Sequence, residues 1–197
     1  MSNRHVLSVV VMLGCTSLGS AQRDLKRYTS CRYSNFQMVQ ADRLPGATAR
    51  AVDTKTGPKS VEVVDGYRVL MTYDETEPFI NMKVEQLGVR SFQKDKQTLI
   101  ENLEKLASSP GMESNVPEHR PMGIFDSYGI SRNELTGGVL SIYALFNDED
   151  KTVTTIYFLN AEPGERKFQT ADAYREIRDR FLKEYSACLA PTKATKP

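Results

Sequence analysis

Residues 139–159 read VLSIYALFNDEDKTVTTIYFL. Two runs rich in β-branched and aromatic residues, Val139–Phe146 and Thr152–Leu159, flank the polar stretch Asn147-Asp148-Glu149-Asp150. Such runs read as strands, and so short a connection returns the second strand antiparallel beside the first. Upstream, Met122–Arg132 carries Ile124, Tyr128 and Ile130, and the Gly137-Gly138 turn joins it to the same meander. Three consecutive antiparallel strands near the end of the chain place the fold among mainly antiparallel sheets.

Working outward, Lys94–Ser108 switches to helical spacing, with Leu99, Ile100, Leu103, Leu106 and Ala107 on one face. Ser109-Pro110-Gly111 stops this helix, and a loop through Pro117 and Pro121 follows. Before it, in Phe79–Leu87, Ile80, Met82 and Val84 alternate with Asn81, Lys83 and Glu85, the period of a half-buried strand. Ser60–Val64 and Tyr67–Tyr73 flank Asp65-Gly66, which predicts a hairpin. Residues 22–59 are polar and rich in turn signals (Pro45-Gly46, Lys55-Thr56-Gly57-Pro58) and read as a partly irregular N-terminal arm. After the meander, Thr170 is a natural N-cap for a helix over Ala171–Leu189, where Tyr174, Ile177, Phe181, Tyr185 and Cys188 share a face. The tail, residues 191–197, reads as disordered. The expected class is α+β, an antiparallel sheet of about six strands packed by an internal helix and a C-terminal helix, forming one unit over 60–190.

Residues 1–21 read as a secretory signal. Arg4 and His5 supply the positive start, Val6–Leu13 the apolar core, and Gly19-Ser20-Ala21 a small-residue cleavage site before Gln22. The apolar stretch falls short of the roughly 20 residues that span a bilayer, so no transmembrane segment is expected in the mature chain. Met12-Leu13-Gly14-Cys15 offers an alternative, a lipobox in which Cys15 is lipidated and anchors the protein to a membrane. The expected location is therefore exported, periplasmic or secreted, with lipid anchoring through Cys15 as the alternative.

Export reshapes the composition. The 197 residues carry 26 Lys+Arg, 25 Asp+Glu, 3 Cys and 2 His. Removal of residues 1–21 takes Arg4, His5 and Cys15, which leaves balanced charge, one histidine (His119) and the pair Cys31 and Cys188. Balanced charge gives no electrostatic footprint for nucleic acid. Two cysteines in an exported chain are expected to pair, and no Cys-x-x-Cys spacing suggests redox catalysis. Two thiols and one histidine do not make a Cys/His zinc site, and no metal or cofactor is implied.

The sequence contains no G-x-S-x-G, H-E-x-x-H, G-x-x-x-x-G-K-[ST] or G-x-G-x-x-G. Ser91-Phe92-Gln93-Lys94 and Lys55-Thr56-Gly57 imitate penicillin-binding motifs, but in the wrong order. His119 reads as a solvated loop residue. Asp74-Glu75-Thr76-Glu77 and Asp148-Glu149-Asp150 read as solvated turns, with a hard-cation site as the alternative. Tyr128, Arg132, Tyr143, Tyr157 and Asn160, on or at the ends of the meander, are the candidate binding surface.

The order of elements, with the helix TLIENLEKLASSPGM after a strand triplet, the strand TVTTIYFLN and the helix ADAYREIRDRFLKEYSAC, resembles the PsbP-like fold. That fold is named for an extrinsic photosystem II subunit and shared by a nuclear-import Ran-binding factor and many exported bacterial proteins. The resemblance implies a binding or assembly factor without a shared catalytic set, and it carries over no site residues. The class left is thus a non-enzymatic protein that binds a partner protein or small ligand in the cell envelope, with a carboxylate-dependent hydrolase as the alternative.

Overall fold

Period-2 sequences recur through most of the chain, and the computed structural model joins them in one sheet. It describes residues 25–44, 46, 48–74, 78–160 and 168–190. Residues 1–21, Cys15 and the tail 191–197 lie outside these. The described elements are α1 (Lys26–Thr29), β1 (Phe36–Leu44), β2 (Thr48–Thr54), β3 (Gly57–Tyr73), β4 (Pro78–Leu87), α2 (Phe92–Ala107), β5 (Glu118–Met122), β6 (Phe125–Ser131), β7 (Gly138–Asn147), β8 (Thr152–Asn160) and α3 (Ala171–Leu189). Eight strands form one antiparallel sheet in the order β1-β3-β4-β8-β7-β6-β5, with β2 also on β3. The architecture is α+β. Among the described residues no helix is long and apolar enough to cross a membrane.

The strand count corrects the expectation of six. Asp65-Gly66 is not a turn: β3 runs straight through it and pairs with β4 on both sides of it. Neither residue takes the positive φ that a two-residue Asp-Gly turn requires. Instead Asp65 accepts two hydrogen bonds from Arg43 on β1, at 3.0 and 3.1 Å, and the register shifts between Val63 and Asp65. The hairpin turn lies earlier, at Lys55-Thr56, where Thr54 Oγ1 donates to the Gly57 carbonyl at 2.7 Å. Residues 36–54, read as part of an irregular arm, therefore supply β1 and β2, both antiparallel to β3. The loop expected through Pro121 is the edge strand β5, which turns into β6 at Gly123-Ile124. Gly123 has φ +60, and a Cβ there would meet Ser186 Oγ at 2.4 Å, so both backbone and space call for glycine.

A core lies on each face of the sheet. On one face α3 buries Tyr174, Ile177, Phe181 and Tyr185 against Met82, Leu145, Ile156 and Phe158. As expected, Thr170 caps α3, its Oγ1 accepting from Ala173 N at 3.2 Å. The segment through Leu25, Tyr28, Cys31 and Phe36 packs into the same core. The Cys31–Cys188 disulfide, with Cα atoms 5.9 Å apart across 157 positions, ties it to the end of α3. On the other face α2 buries Leu99, Leu103 and Ala107 against Val61, Val63, Phe146 and Val153. The end of the β2–β3 hairpin reaches onto α2: Lys59 pairs with Glu101, Lys105 with Asp53, and Asn102 Nδ2 donates to the Asp53 carbonyl at 2.7 Å. Helix α2 is thus held between the hairpin and the meander.

Candidate functional site

The helical period of α2 turns Leu99, Leu103 and Leu106 toward the sheet, where the alternation of β7 presents Ile142 and Ala144. Ala144 is small beside Ile142 and Phe146, and α2 does not close fully over it. A cleft of about 180 Å³ remains between β2, α2 and the β7–β8 pair. Its polar rim is Arg50, Asp53, Asn102, Thr155 and Tyr157. A second cleft, of about 120 Å³, opens past the C-terminal end of α2. Met112, Ile130, Val139 and Leu140 line it, with Ser109 and Arg132 as its polar members beside Ser141. Leu106 and Ile142 line both clefts and separate them.

Charge at the first cleft is largely committed. Arg50 Nη2 lies 2.9 Å from Glu85 Oε2 on β4. Burial pushes the Tyr157 phenol up, and Glu85 adds to this while Arg50 opposes it. Lys83 Nζ sits 5.9 Å over the Tyr157 ring. The lining holds one carboxylate, Asp53, which Lys105 engages. The two convergent carboxylates that a hydrolase of that type needs are therefore not assembled at either cleft among the described residues.

At the second cleft Arg132 is held differently. Its Nε donates to the Val139 carbonyl at 3.1 Å, and it makes no ion pair among the described residues.

The five predicted surface residues divide between the two faces. Tyr157 and Arg132 reach the clefts. Tyr128 lies on the same face, against the α2-side core. Tyr143 is no surface residue: it is 1% exposed beneath α3, its ring 5.6 Å from the Arg178 guanidinium. Gly129 makes room for it, since a Cβ there would overlap the ring at 2.3 Å. Asn160 is likewise buried, and its Nδ2 donates to the Thr136 carbonyl at 3.4 Å. Register explains the split. Tyr143 pairs with Ile156, whereas Tyr157 pairs with Ile142, so the two tyrosines face opposite ways.

His119 is in strand β5 rather than in a loop. Its Nε2 and Asp126 Oδ1 are 2.6 Å apart, and its ring stacks on Tyr128 with centroids 4.3 Å apart. Lys96 Nζ on α2 reaches Asp126 at 2.9 Å and Asp148 at 2.6 Å. Partial burial pushes the Asp126 carboxyl up, but hydrogen bonds from His119 and Lys96 outweigh it and hold the group below its usual range. Burial of Lys96 opposes its charge, yet Asp148 and Asp126 raise its pKa. Asp148 and Asp150 do not form a cation site. Asp148 serves Lys96, while Asp150 accepts from Tyr28 and Asn147 at 2.6 and 3.2 Å. Of Asp74-Glu75-Thr76-Glu77, residues 75–77 lie outside the described residues. Among the described residues no three His, Cys, Asp or Glu side chains group as metal ligands.

The sequence reading missed Arg50 and Asn102. In TARAVDT the inward positions are Arg50, Val52 and Thr54, and the outward ones include Ala49 and Ala51. This reverses the usual apolar-in pattern and hides the strand. The one usable signal was the turn Lys55-Thr56-Gly57-Pro58, which folds TARAVDT back onto GPKSVEV.

No protein family, curated protein or solved structure matches the chain.

Proposed function

We propose that this is an exported, non-enzymatic binding protein of the cell envelope that takes a small ligand along the C-terminal half of α2, on a PsbP-like layout. The observation that carries the reading is the pair of apolar clefts meeting at Leu106 and Ile142, each with an arginine at its rim. Concave apolar space with a few placed polar groups is the usual form of a ligand site. The Cys31–Cys188 disulfide supports export, because disulfides persist in oxidising compartments.

Methyl NMR of the mature protein titrated with a small-fragment library tests the binding reading. Hits should shift the Leu99, Leu103, Leu106, Ile130 and Ile142 methyls together. A library that leaves these unchanged, or perturbs only the α3 face, would overturn it. Export is tested by the N-terminus of the protein recovered from outside the cytoplasm: Gln22, free or cyclised, supports the plain exported form. A lipidated Cys15 replaces that form with the anchored one, and an intact Met1 removes export.

A further inference from the structure

The two clefts differ in the state of their arginines, and that difference points to the chemistry of the ligand. At the first cleft the Arg50 charge is opposed by Glu85 at 2.9 Å. At the second, Leu106, Met112, Val139 and Ile142 are each half-buried and present apolar surface at the mouth. Arg132 stands beside them, exposed. Its Nε bond to the Val139 carbonyl fixes the guanidinium plane, and the Met112–Arg132 bridge fixes its backbone. A Cβ on Gly111 would lie 3.7 Å from Nη1, so the fork lies along the turn that follows α2. Among the described residues no carboxylate pairs with it: Glu134, two positions further on, is exposed and makes no ion pair with it, and Glu113, on the turn after α2, is bound by Arg175 at 2.7 Å. An apolar slot with one oriented, unneutralised guanidinium at its lip is complementary to an apolar body carrying a single carboxylate.

We infer that the second cleft binds a small amphiphilic monocarboxylate, its hydrocarbon part against Leu106, Met112, Ile130 and Ile142 and its carboxylate on the Arg132 guanidinium. Size sets the hydrocarbon part. An enclosed apolar cavity of about 150 Å³ takes up benzene; the second cleft is smaller, about 120 Å³, and has an open mouth, so it suits a slim chain of roughly four to six carbons whose charged end stays at the lip. The inference rests on the binding reading above and adds the charge and size of the ligand.

Hexanoate, hexanol and hexylamine share a body and differ in charge. Each is titrated into the mature protein and read by methyl shifts at Ile130, Ile142 and Leu106. Hexanoate should bind about two- to fivefold tighter than hexanol at low salt, hexylamine weakest, with the advantage shrinking as salt screens the pair. Arg132→Gln should bring hexanoate down to hexanol, and Arg132→Lys should restore part of the difference. Arg132 is exposed, so both variants should keep the parent thermal midpoint. Equal binding of hexanoate and hexanol, or a preference unchanged in Arg132→Gln, overturns the inference while leaving a ligand cleft. Failure of all three to move the cleft methyls overturns it too; the fragment library then decides the broader reading. A peptide ending in a free Leu carboxylate that binds at least tenfold tighter than hexanoate would replace the small molecule with a partner's C-terminus.

Discussion

The Tyr28 hydroxyl donates to the Asp150 carboxylate at 2.6 Å, joining residues 122 positions apart. Tyr28 lies in the segment before β1, and Asp150 in the turn between β7 and β8. The same hydroxyl accepts from Asn147 Nδ2 at 2.9 Å and from Thr152 Oγ1 at 3.1 Å, and Arg27 pairs with Asp150 from outside. One buried phenol thus docks the N-terminal segment on the meander turn, while the Cys31–Cys188 bridge docks it on α3.

Tyr28→Phe keeps the ring and removes the hub. Asn147 and Thr152 lose an acceptor in a buried site, a loss that costs about 1–3 kcal/mol. Urea denaturation should show a lower midpoint with little change in slope. A midpoint within error of the parent would mean that water replaces the hydroxyl.

Opening the disulfide should cost more. Closure of so long a loop contributes roughly 4–5 kcal/mol in the chain-entropy treatment, although measured values often fall short. Cys31→Ser/Cys188→Ser, or the parent under reductant, should unfold at distinctly lower urea. Peptide mapping without reductant should give one peptide joining Cys31 to Cys188, and two free thiols would contradict the pairing.

Asp126 shapes the acid limb of stability. Its folded pKa is depressed, so its contribution is present above the ordinary carboxylate range, near pH 4, and is lost as pH falls through the folded value. Asp126→Asn should lower stability at pH 7 and flatten the decline below about pH 4. Urea midpoints from pH 7 down to pH 2.5 read this directly, and parallel acid limbs in parent and variant would refute it.

Tyr143 acts at the opposite end. Burial beneath α3 pushes its phenol up to about 12, partly offset by Arg178. A raised folded pKa gives stability that is complete below the unfolded value, near pH 10, and lost as pH climbs toward about 12. Tyr143→Phe should lose less stability than the parent between these values. Ultraviolet titration should show one fewer tyrosine ionising late in the folded variant.

Elements whose evidence is local were legible. Thr152–Asn160 and Gly138–Asn147 formed almost where their period-2 runs and the intervening turn placed them. Helix α3 spans Ala171–Leu189 as its cap and apolar spacing required, and α2 begins two residues before the predicted Lys94. The misread places are those where a local signal lost to a distant partner. Asp65-Gly66 has turn chemistry, yet Arg43 from β1 and the register with β4 hold it extended. Residues 118–122 contain Pro121 and still form β5, because an edge strand tolerates a missing donor.

By itself, then, the sequence determined the α+β class, the two long helices, the meander and the pairing of Cys31 with Cys188. Each of these follows from periodicity, caps, turns or counting within a short window. Tertiary structure alone decided which face each meander side chain takes. It buried Tyr143, brought Tyr157 to a cleft, and set Arg50 from a disguised strand across from Asn102 on α2. The physical reason is that a strand's period says that neighbours alternate, whereas which set faces which helix depends on the register with chain far away.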